Sequence, residues 1–266
     1  MLLAIDIGNT NIVIGVFDKA TLGGTLKHKW RVVTDYKKTV DDYAVDMIEL
    51  FLNNKIDCLE INGCAISSVV PIITPRIYEA VKKFLNQSAL EKLFVVGHDK
   101  VKLNLDIKVK NKSEVGHDRL VNAIAGFQKY SGNLIIIDFG TATTFDVVGE
   151  NGEYLGGVIS PGINLSLKAL HDMTAQLPKI TIKAQKNIIG KSTVEAMNSG
   201  VYHGYIAMVE GMVKKINTEL DSQATVIITG GLAEIFKEPL ITSGVVNYHQ
   251  PDLTLDGLKI IFQQHI

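Results

Sequence analysis

Apolar residues come in short dense runs separated by turn residues, and these runs alternate with stretches spaced at helical intervals. Residues 2–5 form a first apolar run, and residues 11–17 form a second after a Gly-Asn-Thr turn. Together they predict a β-hairpin over 2–17, with residues 26–33 as a third antiparallel strand. Thr39 and Asp42 have capping-box spacing ahead of the amphipathic run 43–52, which predicts a helix. Residues 64–70 read as a buried strand, and 93–96 as a shorter one. Thr74-Pro75 reads as an N-cap and first-turn proline opening a helix to about residue 85.

The second half repeats the opening. A helix is predicted over 114–130 from the apolar spacing of Leu120, Val121, Ile124, Ala125 and Phe127. A strand–turn–strand unit then follows over 134–148. Ala4-Ile-Asp-Ile-Gly-Asn9 and Ile136-Ile-Asp-Phe-Gly-Thr141 share one pattern: apolar strand, aspartate, apolar residue, glycine, small polar residue. They stand about half the chain apart, which implies an internal duplication. Ser192 and Glu195 form a second capping box before a long helix to 220, with possible breaks at Gly200, Gly204 or Gly211. Residues 225–228 predict a strand running into Thr229-Gly230-Gly231 and a further helix. The alternation predicts an α/β fold of two similar halves, 1–115 and 116–266, with a cleft between them.

Charge narrows the function. The 27 basic and 28 acidic residues nearly cancel, so nothing draws the whole chain toward nucleic acid or an anionic membrane. No run reaches the roughly 18 apolar residues of a membrane span, and the N-terminus has no basic start of a secretory signal. A cytoplasmic protein is expected. Cys58 and Cys64 have neither disulfide nor metal-site spacing, and read as reduced thiols.

The turns carry the candidate chemistry. A strand ending in Asp6 presents a carboxylate at the mouth of the Gly8-Asn9-Thr10 turn. Gly8 lets backbone approach a ligand, and amides there can donate to phosphate oxygens. A carboxylate beside a phosphate requires a cation, so Asp6 implies Mg²⁺ held partly through water. Alone, this is also an ordinary hairpin turn. Asp138, Gly140 and Thr141 supply an equivalent turn, and Gly230-Gly231 offers a surface for a nucleoside. This ordered set resembles the actin, Hsp70 and sugar-kinase superfamily, a duplicated actin-like ATPase (ribonuclease H-like) fold. Its members include kinases, chaperones, filaments and phosphatases.

Four stretches resemble the type III pantothenate kinases: Asp6-Ile-Gly-Asn-Thr-Asn-Ile-Val13; Gly116-His-Asp-Arg119; residues 154–163; and residues 189–197. The resemblance implies ATP-dependent phosphorylation of pantothenate, the opening step of coenzyme A synthesis. It implies that Asp6, Ile7, Gly8, Asn9, Thr10, Asn11, Ile12, Val13 and Thr141 bind ATP. Gly116, His117, Asp118, Arg119 and Thr193 then bind pantothenate, with Asp118 as general base and Arg119 as partner of the substrate carboxylate. Asp138 corresponds to the site of a monovalent cation, K⁺ or NH₄⁺, and a homodimer is implied. Two positions depart from the family. His117 stands where alanine is usual, and is expected to point away from the pocket. Lys108-Val-Lys-Asn111 lacks a pocket tyrosine found in some members. A phosphoanhydride hydrolase of the same fold and a non-catalytic nucleotide-dependent regulator are the alternatives.

Overall fold

A computed structural model describes residues 1–21, 23–98 and 101–265. The elements run β1 (Leu2–Ile7), β2 (Asn11–Phe17), β3 (Leu26–Val33), α1 (Val40–Asn53), β4 (Cys64–Ser68), α2 (Thr74–Lys82), α3 (Gln87–Leu90), β5 (Leu93–Val95) and α4 (His117–Lys129). They continue with β6 (Leu134–Phe139), β7 (Ala142–Val148), β8 (Tyr154–Pro161), α5 (Ile163–Asp172), α6 (Thr193–Leu220), β9 (Thr225–Thr229), α7 (Ala233–Thr242), β10 (Tyr248–His249) and α8 (Leu253–Gln264).

Two five-stranded sheets follow the same path. The first has the order β3-β2-β1-β4-β5, and the second, read from its other edge, β8-β7-β6-β9-β10. In each, the opening strand is central and forms an antiparallel hairpin on one side and parallel pairs on the other. The repeat therefore extends to topology. It also extends to register: Asp6 pairs with Ser67 on the neighbouring parallel strand, and Asp138 pairs with Thr229. The hairpin loops differ by one residue. Gly8 N–H donates to Asn11 O (3.0 Å), whereas Gly140 N–H donates to Ala142 O (3.1 Å).

The compact units are not the contiguous stretches 1–115 and 116–266. The first comprises Met1–Leu105, Ser113–Ala125 and the C-terminal stretch from Thr254; the second comprises Asp106–Lys112 and Gly126–Leu253. The physical reason is sheet coverage. In the first unit, odd-numbered β1 residues Leu3, Ile5 and Ile7 pack with Tyr43, Met47 and Ile77 of α1 and α2. Leu2 and Ala4 point to the opposite face, where Val121 of α4 and Leu255, Leu258 and Phe262 of α8 cover them. Each large side chain buried in this way contributes about 1.5–3 kcal/mol, so α8 returns to the first sheet. Residues 106–108 pair instead with Tyr154, through Tyr154 N–H to Asp106 O and Lys108 N–H to Tyr154 O (both 2.8 Å). In the second unit, Ile135, Ile137 and Phe139 pack under α5, α6 and α7.

Several local expectations change. Thr74 does not cap α2: the N-cap is Ile73, and Thr74 Oγ1 donates to Val70 O (2.8 Å). Helix α4 begins at His117, after a separate 3-10 turn at Lys112–Glu114. Helix α6 runs through all three glycines for 28 residues and ends at left-handed Asp221. The Thr39/Asp42 capping box is complete. At α6, Ser192 accepts from Glu195 N–H (3.2 Å), but the Glu195 carboxylate reaches back to Lys191 N–H (2.7 Å) and not to that of Ser192.

Candidate active site

The first loop is a tight turn at the C-terminal end of β1. A β-carbon on Gly8 would stand 3.0 Å from Asn11 O, tighter than ordinary contact, which fits the glycine there. Asn9 and Thr10 are exposed, and Asp6 is half-buried behind them. Register places Ser67, Asp6, Val13 and exposed Arg31 in one row across four strands, on one face of the sheet. The Ser67 hydroxyl in that row is buried without a hydrogen-bond partner.

Helix α4 brings the Gly116–Arg119 motif to the end of β4, the strand that carries Ser67. Arg119 N–H donates to Gly116 O (3.1 Å) and to Asp118 Oδ1 (2.8 Å). A β-carbon on Gly116 would stand 2.6 Å from Asp118 Oδ1 and 3.6 Å from a Val69 methyl, so the carboxylate folds back over bare backbone next to the end of β4. The His117 imidazole lies against Gly97 and donates to the Ser68 carbonyl, with the His98 ring 6.5 Å away. Burial lowers the His117 pKa first, and the neighbouring His98 lowers it further; Asp118 and the Ser68 carbonyl act in the opposite direction. Asp6, Ser67, Ser68 and the first turn of α4 thus form one continuous constellation within the first unit.

The second unit repeats the loop with closer backbone packing. Gly230 has φ +93°, and a β-carbon there would overlap Asp138 Oδ1 and come within 2.6 Å of Phe139 N. On Gly140 it would stand 3.3 Å from the same carboxylate, and on Gly162 it would overlap Thr141 O. Three loops therefore crowd around Asp138 and Thr141 because their glycines carry no side chain. Beneath them, the fully buried Asp146 accepts from Tyr154 OH (2.8 Å) and Thr144 Oγ1 (3.0 Å). Thr193 lies elsewhere in this unit, exposed on the first turn of α6.

Two residues that motif reading passed over support the first loop. Thr34, only 6% exposed, donates from Oγ1 to Gly8 O (2.6 Å) and from N–H to Thr10 O (3.0 Å). Tyr43 OH accepts from Asp35 N–H (3.1 Å) and donates to Asp35 O (2.8 Å), fixing the residue that follows. Neither has motif spacing; a polar residue just after an edge strand was the one hint.

No group of three or more His, Cys, Asp or Glu side chains suited to hold a metal occurs among the described residues. A Mg²⁺ bound mainly by water and substrate phosphates needs only one or two carboxylates, and Asp6 beside the unpartnered Ser67 hydroxyl meets that requirement. An exposed loop tip, a half-buried carboxylate and a second carboxylate on a helix first turn are the parts that phosphoryl transfer uses: positioning, charge neutralisation and a proton acceptor.

Comparison with known proteins agrees with this geometry. Among solved structures, one from Sinorhizobium meliloti assigned as a 2-dehydro-3-deoxygalactonokinase matches with a TM-score of 0.57 and 11% identity, covering 100% of this chain and 97% of its own. A PilM-PilN type IV pilus biogenesis complex matches with a TM-score of 0.52 and 10% identity, over 98% of both chains. These likenesses show the fold, a duplicated actin-like ATPase, and no more. Sequence relatives go further. A type III pantothenate kinase from Paramagnetospirillum magneticum is 45% identical, covering 100% of this chain and 98% of the relative. Another from Exiguobacterium sibiricum is 44% identical, over 100% of both. The family model for type III pantothenate kinase matches residues 2–215, and the chain belongs to the type III pantothenate kinase family.

Proposed function

We infer that this protein transfers the γ-phosphoryl group of ATP to the primary hydroxyl of pantothenate, giving 4′-phosphopantothenate and ADP at the entry to coenzyme A synthesis. The observation that carries this reading is the full-length kinship at 41–45% identity.

Asp118 accepts the hydroxyl proton as the new oxygen–phosphorus bond forms and the bond to the ADP oxygen breaks. Its place over Gly116 supports the role, because no β-carbon there screens the carboxylate. Arg119 offers a planar donor fork to the pantothenate carboxylate; family kinship supports Gly116, His117 and Thr193 in pantothenate binding as well, with the His117 imidazole itself turned onto Gly97. The segment from Asp6 to Val13 and Thr141 binds ATP. Mg²⁺ near Asp6 supplies charge neutralisation on the phosphates. Asp138, crowded by Gly140 and Gly230 backbone, holds the monovalent cation, K⁺ or NH₄⁺.

The protein works as a homodimer. Exposed Leu165, Met173, Ile188, Ile189 and Val194 in the second unit support this, being more apolar surface than one short stretch of an isolated chain usually leaves uncovered. No helix among the described residues is long and apolar enough to cross a membrane, and the dependence on ATP supports a cytoplasmic enzyme.

An ADP-release assay with ATP, Mg²⁺ and K⁺, with and without pantothenate, tests the reading. ADP formation that requires pantothenate, together with a product one phosphate heavier than pantothenate, is the expected result. ADP release indifferent to pantothenate would assign a hydrolase instead.

A further inference from the structure

We propose that Thr34 is a positioning residue of the first phosphate loop, turning two carbonyls inward so that two amides face the nucleotide. The proposal rests on the reading that this loop binds ATP. Thr34 belongs to no family motif quoted above, and its side chain is buried.

The geometry is specific. Thr34 reaches both ends of the loop tip, through Oγ1 to Gly8 O (2.6 Å) and N–H to Thr10 O (3.0 Å). In a trans peptide the carbonyl of one residue and the N–H of the next point in opposite directions. With Gly8 O and Thr10 O held toward Thr34, the N–H groups of Asn9 and Asn11 are directed away from it. Such outward amides form an anion-binding concavity. Thr34 is itself restrained: Tyr43 OH bonds both backbone groups of Asp35, and Arg76 Nη1 donates to Tyr36 O (2.7 Å) and Lys38 O (2.9 Å).

The second unit reaches the same end differently. Asn11 pairs with Val33 and Ala142 with Pro161, so Thr34 and Gly162 are the equivalent next residues. A β-carbon on Gly162 would overlap Thr141 O and come within 2.9 Å of Gly140 O. One loop is braced by a hydroxyl, the other by direct backbone approach. This equivalence assigns loop support to a specific position of the repeat.

The test compares Thr34→Val, which keeps the branched shape and removes the hydroxyl, with Thr34→Ser, which keeps the hydroxyl. ADP binding by calorimetry, steady-state constants for ATP and pantothenate, and melting temperature are measured for each. Thr34→Val is expected to weaken ADP binding and raise KM for ATP about three- to tenfold, the range of one net hydrogen bond. KM for pantothenate should stay within about twofold, and Thr34→Ser should restore the ATP values. If Thr34→Val does not fold, Tyr43→Phe tests the same brace from behind and should raise KM for ATP in the same direction. Unchanged nucleotide affinity in the hydroxyl-free variants, or loss shared equally by both substrates and not rescued by serine, would overturn the proposal. Wild-type protein that binds neither ADP nor ATP would instead overturn the reading beneath it.

Discussion

The His117 imidazole fills the space that a β-carbon on Gly97 would need. Gly97 has φ +81°, a conformation glycine adopts without cost, and it stands two residues past the end of β5. The helix turn carrying Asp118 is thus wedged against a loop whose shape depends on one missing side chain. Gly97→Ala would combine left-handed backbone strain, about 1–2 kcal/mol, with overpacking of about 1–3 kcal/mol. A loss of about 2–5 kcal/mol in urea unfolding is expected, with a fall in kcat as the first turn of α4 shifts. Wild-type stability in this variant would show that His117 moves aside freely.

The same contact makes stability depend on pH. Burial, reinforced by His98, lowers the folded pKa of His117 below the unfolded value of about 6.5. The unfolded chain then binds more protons in that window, so stability rises with pH. The contribution is complete above the unfolded pKa and is lost as pH falls through the folded one. Between pH 7 and 5 the wild type should therefore lose more melting temperature than His117→Gln. Parallel curves for the two proteins would show that His117 is not the linked group.

Much of this was legible in the sequence, for identifiable reasons. The Asp6 and Asp138 repeat fixed the duplicated sheets because a strand with a glycine turn leaves a short, local pattern. The α1 capping box was legible because its partners stand three residues apart. Long-range packing left no such trace. The return of α8 to the first sheet depends on faces assembled from Leu2, Val121 and Phe262, far apart in sequence. Thr34 was invisible because its hydrogen bond to Gly8 joins residues 26 positions apart. The glycines in α6 suggested breaks, but a 28-residue helix packed through Tyr205, Val209 and Val213 overrides their weak propensity.

The two capping sites should respond differently. At α1, Thr39 and Asp42 satisfy each other's backbone N–H groups. Thr39→Ala removes the cap and also the hydroxyl's own bond to the Asp42 carboxylate, leaving only the backbone N–H of residue 39 on it, so it should cost about 1–2 kcal/mol. At α6, the Glu195 carboxylate bonds Lys191 N–H independently of the Ser192 hydroxyl. Ser192→Ala should therefore cost about 0.5–1 kcal/mol. Chemical denaturation of both variants checks the order.

If Asp138 holds a monovalent cation, binding should be visible without turnover. Ligands that bind only the native state raise its stability, so K⁺ at constant ionic strength should raise the wild-type melting temperature more than a bulky organic cation does. Asp138→Asn should abolish that difference and increase the K⁺ needed for half-maximal activity. A K⁺ shift that survives the substitution would remove Asp138 from the cation site.

Asp118→Asn separates the proposed proton acceptor from the scaffold. The asparagine amide has the size of the carboxylate, and its oxygen can still accept from Arg119 N–H as Asp118 Oδ1 does at 2.8 Å. Helix α4 should form unchanged, apart from a weakened interaction of a first-turn acid with the helix dipole, about 0.3–1 kcal/mol. What asparagine cannot do is take the hydroxyl proton at neutral pH. General-base catalysis contributes roughly 10²–10⁴-fold, so kcat should fall by that factor while ADP binding measured by calorimetry stays near the wild-type value. A variant retaining more than about a tenth of wild-type kcat would assign the proton to solvent or to another group, and would leave Asp118 as a residue that orients the acceptor.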